Sequence, residues 1–177
     1  ASEKRALEAA VYIQNEQKIT GKLNANYGVR ISGFSQSGPA WLYEYDTGKE
    51  PVDSSFYEKG KFAYPYYSFE PRLSINFMPD SRHSIKLSYN RMSQYLHLLS
   101  NTTSGSPADV WLPGSNNLKP VYVDHISAGL FKNFLDNVIE TSVEVYYKKM
   151  INTADYKDGA EIIFDNHVES QILTGKG

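Results

Sequence analysis

The sequence predicts an all-β chain whose antiparallel strands run up and down, as in part of a transmembrane β-barrel. Three observations predict it: apolar and polar residues alternate, the alternating segments are long, and the connections alternate between short and long. The segments are Leu7–Gln17, Lys22–Phe34, Tyr66–Phe77, Ser84–Tyr95, Val121–Lys132 and Val138–Met150. The gaps run about four, thirty, six, twenty-five and five residues, and such alternation is typical of barrels in the bacterial outer membrane.

The segment Lys22–Ser32 shows the alternation most clearly. Successive side chains of a strand point to opposite faces, so Asn24, Asn26 and Arg30 share the face opposite the apolar residues. The apolar face carries Leu23, Ala25, Tyr27, Val29 and Ile31. A strand of this kind has one apolar face and one polar face.

The connections are predicted to be short turns near 18–21, 78–83 and 133–137, and long loops near 35–65, 96–120 and 151–171. The first long loop loses the alternation and is predicted to lack regular structure. Pro71 falls inside a predicted strand, where it cannot donate a ladder hydrogen bond, so we expect a local irregularity there. Helical spacing of Tyr89, Met92, Leu96 and Leu99 leaves a short helix open at the end of one strand.

Strand length favours a barrel over a soluble sandwich, which would show the same alternation. The predicted strands have roughly 11–13 residues, whereas strands of soluble proteins most often have about 5–6. At about 3.3 Å per residue they reach some 35–40 Å, enough to cross a bilayer with tilt. A soluble carbohydrate-binding β-sandwich with aromatic loops remains the alternative. A barrel that acts as an adhesin or a structural element is a third possibility.

Composition excludes several classes of protein. The 18 basic and 20 acidic residues are intermixed, so no basic surface indicates nucleic-acid binding. The absence of cysteine excludes disulfides and thiolate metal sites. The four histidines lack metal-site spacing, and no nucleophile or phosphate-binding motif stands out. We therefore predict no catalytic residue, no metal, no cofactor and no enzyme activity.

Two sets of side chains are candidates for function. The long loops hold aromatic and polar residues that could stack on a planar ligand or a sugar: Trp41, Tyr43, Tyr45, His97 and Trp111. For Trp41 and Trp111, packing within the loop itself is the alternative. The polar faces hold charges that could line a lumen and pair with a protein segment inside it: Arg30, Glu70, Arg72, Lys86, Glu140 and Glu144. The alternative for this second set is a solvated sandwich surface. Four tyrosines near strand ends are interpreted as an interfacial girdle: Tyr64, Tyr66, Tyr67 and Tyr147.

Several segments resemble TonB-dependent outer-membrane receptors. The run Tyr12–Glu16, a short turn and Leu23–Arg30 look like one hairpin of that family. Phe69–Ser74, including Pro71, followed by Ser84–Asn90 is similar to the next hairpin. Three further segments look like the Bacteroidetes branch: Leu98–Thr103, Ser142–Lys148 and Asp155–Glu161.

The resemblance implies a barrel of about 22 strands closed by a plug domain. It also implies ligand binding at extracellular loops and import with energy relayed by the TonB complex. Residues 1–177 would form a partial barrel domain of roughly six to seven strands in the bacterial outer membrane. Its expected partners are outer-membrane lipids, the remainder of its own barrel and plug, and the TonB complex through the plug. A surface lipoprotein lid is a further candidate, and nucleic acid is not expected. The sequence does not identify the ligand.

Overall fold

The computed structural model describes residues 4–46, 48–100, 109–135, 138–157 and 168–177. The six long strands are β1 (Arg5–Thr20), β2 (Leu23–Ser37), β5 (Phe62–Asp80), β6 (His83–Gln94), β9 (Val121–Phe134) and β10 (Ile139–Tyr156). The short strands are β3 (Ala40–Tyr45), β4 (Pro51–Tyr57), β7 (Leu96–Ser100), β8 (Asp109–Pro113) and β11 (Ile172–Lys176), the last preceded by a 3-10 helix at Val168–Gln171. Within the described ranges, no helix has the length and apolar character to span a membrane.

The long strands and β11 form one seven-stranded sheet in the order β1-β2-β5-β6-β9-β10-β11. All neighbours in this sheet pair antiparallel. The remaining short strands form two separate hairpins, β3–β4 and β7–β8. A sandwich needs two sheets packed face to face, whereas the described strands form a single sheet with two hairpins at one end. The sandwich alternative is therefore wrong, and the predicted all-β antiparallel class is confirmed.

All six predicted strands are present, and each extends beyond its predicted bounds on at least one side. The longest, β5 and β10, contain 19 and 18 residues. The helical alternative is wrong, because Tyr89 and Met92 belong to β6 while Leu96 and Leu99 belong to β7.

The long connections contain more regular structure than the sequence predicts. Hairpin β3–β4 lies within 35–65, and hairpin β7–β8 lies within 96–120. The third connection is shorter than the predicted loop, because β10 continues to Tyr156 and β11 begins at Ile172. Parts of the predicted loops and turns, at 47, 101–108, 136–137 and 158–167, lie outside the described residues.

The irregularity expected at Pro71 occurs on one side of β5 only. Pro71 pairs regularly with Val29 of β2, whereas the ladder between β5 and β6 ends one residue away, at Arg72 and Asn90. Proline has no N–H to donate, so the ladder ends beside the residue that cannot extend it. The register break between β2 and β5 lies further along, next to Tyr64, whose φ is 51°.

The strand register separates the side chains into two faces that continue across the sheet. One row of directly paired residues runs through Leu23, Phe77, Ile85, Leu130 and Val143. We call the face that carries this row the outward face. The opposite face, here the inward face, carries the row Gln14, Gly28, Arg72, Asn90, His125 and Lys148.

Candidate functional site

The loop end of the sheet carries a compact apolar cluster, which we call the loop core. It consists of Leu99 of β7, Leu112 of β8, Ile172 of β11, and Leu118 from the segment between β8 and β9. Each is at most 4% exposed. Ala154, Tyr156 and Val168 pack against it. The loop core joins the β7–β8 hairpin to the far edge of the sheet, so the hairpin is a packed element.

The Glu70 carboxylate organises the inward face where β5 and β6 separate. Glu70 is 1% exposed. Its Oε1 accepts hydrogen bonds of 2.6 Å from the hydroxyls of both Ser32 and Ser93. Arg30 lies 3.5 Å from Oε2 and 3.2 Å from Glu8 Oε1. A buried carboxylate needs such donors, so β2, β5 and the end of β6 are held together here.

An aromatic pair covers this cluster. Tyr95, which follows β6, is 2% exposed, and its ring stacks on Phe34 of β2 with centroids 5.1 Å apart. Its hydroxyl lies 2.8 Å from the Ser32 hydroxyl. The chain leaving β6 therefore crosses over β5 onto β2 and closes the gap left by the interrupted ladder.

Glu169 of the 3-10 helix links the two edges of the sheet. Its carboxylate accepts hydrogen bonds from Lys4 Nζ at 2.9 Å, Ser115 Oγ at 2.9 Å and Asn117 Nδ2 at 3.0 Å. Burial acts to raise the pKa of Glu169, but the Lys4 ammonium and these hydrogen bonds outweigh it and hold the pKa below its ordinary value. Lys4 immediately precedes β1, so a residue next to β11 is tied to the opposite edge of the sheet.

Three hydrogen bonds fix the segment 113–120 across the inward side of the loop end. Gln36 Nε2 donates to the Gly114 carbonyl at 2.8 Å. The Tyr66 hydroxyl donates to the Ser115 carbonyl at 2.6 Å. Asn117 Nδ2 also lies 2.7 Å from the Tyr43 carbonyl. Tyr66 thus points inward, and its assignment to an outward girdle is wrong. Tyr67 and Tyr147 lie on the outward face, 76% and 65% exposed.

The five predicted ligand residues occupy different environments. Trp41 and Trp111 are 58% and 60% exposed, and Tyr43 and Tyr45 are half-buried. His97 is 3% exposed, so it is a packing residue. Burial lowers the pKa of His97, and a hydrogen bond with the Lys119 backbone offsets this only in part. This burial argues against a role as a surface ligand contact, and within the described residues its Nε2 has no hydrogen-bond partner.

Trp41 contacts a residue that is not among the five predicted ligand residues. Trp41 pairs with Phe56 across the β3–β4 hairpin, and their ring centroids are 5.1 Å apart. Phe56 is 52% exposed. No ring contact between described residues joins this pair to Trp111. We call Trp41 and Phe56 the aromatic platform.

All six charged residues predicted to line a lumen lie on the inward face. Arg30 opposes Glu70, Lys86 and Glu144 share a row through Gly129, and Glu140 opposes Asn133. Among the described residues, only Arg30 and Glu70 of this set form an ion pair. The others have none there: Arg72, Lys86, Glu140 and Glu144. Lys86 instead lies 4.4 Å from the centre of the Phe131 ring.

A concavity of about 540 Å³ follows one row of the inward face. Arg72, Asn90, His125 and Lys148 line it. Asn90 Oδ1 is buried and has no hydrogen-bond partner among the described residues. In the same part of the chain, no three His, Asp or Glu side chains come close enough to hold a metal ion. Within the described chain, the inward face thus offers cations without an ion-pair partner and an acceptor without a donor.

The outward face carries an apolar band that crosses the sheet diagonally. On β1 the band covers 7–13, level with the loop end of β2, whereas on β10 it covers 139–147, toward the turn end. Such displacement from strand to strand is what the tilt of barrel strands produces. Much of the band is exposed, including Val11 at 70%, Tyr67 at 76% and Val143 at 67%.

Water is a poor solvent for this face. Burying one large aliphatic side chain is worth about 1.5–3 kcal/mol, and the net stability of a domain is only about 5–15 kcal/mol. An exposed apolar band of this size is stable in contact with lipid hydrocarbon. An antiparallel sheet of long tilted strands with a lipid-compatible outer face and a charged inner face defines a wall segment of a transmembrane β-barrel.

The comparison with protein families agrees with this class. Residues 2–171 match the family described as TonB-dependent receptor-like, β-barrel. The chain belongs to this family, which confirms the predicted resemblance. The family consists of transporters and receptors of the outer membrane. A comparison with curated proteins gives no match. The Bacteroidetes branch stays a prediction.

Proposed function

We propose that this chain is part of an outer-membrane transporter that captures a ligand at its loop end and imports it with energy relayed by the TonB complex. The observation that carries the proposal is the exposed aromatic platform on an anchored hairpin. In this orientation the loop end is extracellular and the short turns face the periplasm. The membership of the chain in a family of transporters and receptors supports the same reading.

The packing of the β3–β4 hairpin keeps the two rings of the platform exposed. Leu42, between Trp41 and Tyr43, is 5% exposed, and the Tyr43 carbonyl accepts a hydrogen bond from Asn117. The buried face of β3 therefore fixes which way the other face points. Trp41 and Phe56 remain in solvent, where flat apolar rings can stack on a sugar or a planar ligand.

The experiment compares ligand retention by the full-length receptor and its variants. Receptor purified in detergent is incubated with a small-molecule extract of the medium in which its host grows, washed, and analysed for retained compounds by mass spectrometry. Trp41→Ala with Phe56→Ala removes two stacking surfaces, each worth about 0.5–1.5 kcal/mol, so we expect retention to fall about tenfold. Phe62→Ala, an aromatic side chain 57% exposed outside the platform, is the control.

Equal retention by the platform variant and the wild type would reject this binding site. The transport step has its own readout, which is uptake of the retained compound by cells. Collapse of the proton gradient should abolish uptake and leave surface binding intact. Uptake that survives this treatment would reject energy relay by the TonB complex.

The charged inward face is proposed to meet the plug domain of the complete receptor. Glu70 is already satisfied by Ser32, Ser93 and Arg30, so it serves the wall itself. The residues left for a partner are Arg72, Lys86, Glu140 and Glu144, together with the row that contains His125 and Lys148. Charged groups enclosed by a second protein layer need pairing, and a plug supplies that layer. A lipoprotein lid would contact the loop end.

A further inference from the structure

A groove on the outward face lies near the short-turn end of β6, β9 and β10. Its volume is about 600 Å³, and its apolar floor contains Ile85, Leu130 and Val143. These three residues pair directly across the strands and are 38%, 59% and 67% exposed. The groove also includes Lys132, a charged residue on an otherwise apolar surface.

Lys132 is a cation between two apolar rows. The register places it in the row His83–Lys132–Thr141. The row Ile85–Leu130–Val143 lies on one side, and the pair Phe134–Ile139 lies on the other. Lys132 Nζ lies 4.7 Å from the centre of the Phe134 ring. This ring contact holds the side chain against the wall, toward the turn end.

The acidic residue of the groove does not neutralise Lys132. Both oxygens of the Asp80 carboxylate lie 2.9 Å from His83 Nδ1. Asp80 Oδ1 also accepts the backbone N–H groups of Arg82 at 2.8 Å and His83 at 3.0 Å. Among the described residues, Lys132 has no ion-pair partner. A charged side chain that faces lipid requires an anion or water at the interface.

We propose that this groove binds one glycerophospholipid from the membrane leaflet that adjoins the short turns. The phosphate pairs with the Lys132 ammonium, and an acyl chain lies along Ile85, Leu130 and Val143. The proposal rests on the membrane orientation given under Proposed function, but it does not involve ligand capture. All three strands of the groove pair with neighbours inside the described sheet, so its shape is set within this chain.

Depth in the membrane agrees with this assignment. Lys132 lies two residues before the end of β9 at Phe134, which at about 3.3 Å per residue puts it roughly 7 Å from the strand end. Lipid phosphates occupy this interfacial zone, whereas Leu130 and Val143 lie one row further toward the hydrocarbon. From Lys132 toward the hydrocarbon, the groove thus presents charge and then apolar surface, which is the order in a phospholipid, while Phe134 and Ile139 lie on the turn side of Lys132.

The test is native mass spectrometry of the full-length receptor, extracted from its own membranes in mild detergent. We expect the wild type to retain one phospholipid and Lys132→Ala to retain at least fivefold less. Lys18→Ala is the matched control, because Lys18 is an exposed lysine near the short-turn end of β1 and does not line the groove. It should retain the lipid as the wild type does. Leu130→Trp fills the groove without removing the charge and should also displace the lipid.

Equal retention by the wild type and Lys132→Ala would overturn the proposal. Retention of lipopolysaccharide in place of phospholipid would overturn it too, as would loss of the lipid from Lys18→Ala. Failure here is separable from failure of the proposed function. The platform variants should keep the phospholipid, and Lys132→Ala should keep the captured ligand. Resistance of each variant to unfolding in cold detergent shows that the barrel is intact.

Discussion

Glu169 receives hydrogen bonds from residues that are distant in the sequence. Lys4 is 165 positions away, whereas Ser115 and Asn117 are 54 and 52 positions away. No alternation or motif connects these positions, so nothing in the sequence indicates the role of Glu169. Arg30 and Glu70 were both predicted to lie on the polar face, and the register of β2 and β5 pairs them there. The shared face of two residues thus follows from alternation in the sequence, whereas contacts between loops do not.

The low pKa of Glu169 gives the loop end a predicted pH dependence. A carboxyl group whose pKa is lower in the folded state than its ordinary 4.5 stabilises the fold above that value. The contribution is lost as the pH falls below 4.5 through the folded-state pKa. After correction for intrinsic exchange rates, hydrogen exchange in 113–120 should become faster over this range.

The variant Glu169→Gln should lack the stabilising contribution of the carboxylate already at pH 7. Its hydrogen bonds lose their charge, at a cost of about 1–3 kcal/mol, so 113–120 should exchange faster than in the wild type. Glu44→Gln is the control, because Glu44 lies exposed on β3. Unchanged exchange in Glu169→Gln would show that the carboxylate does not hold this segment.

At the scale of elements, the long strands were predictable and the short hairpins were not. The long strands repeat their alternation over many residues. Strand β3 also alternates, with Leu42 buried between Trp41 and Tyr43, but six residues among glycines and prolines give too short a pattern. The position of His97 was missed for a related reason. Its burial depends on the loop core, which combines β7, β8 and β11 from separate parts of the chain.

The loop core predicts that β7, β8 and β11 open together. Leu118→Ala removes a side chain that is 1% exposed, at a cost of about 2–5 kcal/mol. Hydrogen exchange of the full-length receptor should rise in β8 and β11 alike, while β1 and β2 stay protected. Leu98→Ala is the control, because Leu98 is 45% exposed and should change stability by less than about 0.5 kcal/mol. Faster exchange in β8 alone would contradict a shared core.

For the whole molecule, alternation predicted the two faces, and the register shows how they join. The sequence identifies which residues of a strand share a face, but not which face meets lipid. That distinction comes from the paired rows, where apolar residues of neighbouring strands meet in one exposed band. Alternation could not exclude a sandwich, because a sandwich has the same alternation; the single seven-stranded sheet and the family match exclude it.

The assignment of faces predicts an asymmetry between adjacent residues of β10. Val143→Lys puts a charge on the outward band one row inside Lys132, where its cost lies between the about 0–1 kcal/mol of the interface and the about 2–4 kcal/mol of the bilayer midplane. Ser142→Lys puts the same charge on the inward face and should be tolerated. The measurement is the urea midpoint for folding of the full-length receptor into phosphatidylcholine vesicles. Equal destabilisation by the two lysines would reject the assignment.

The diagonal course of the apolar band has a consequence for assembly. A slip of one residue between two strands would exchange their faces. A slip of two residues would preserve both faces but would move one strand's apolar segment by about 7 Å relative to its neighbour's. Hydrophobic alternation cannot detect that second error, whereas a bilayer of fixed thickness can. The membrane therefore acts as a ruler that selects the correct pairing among registers that the alternation alone would accept.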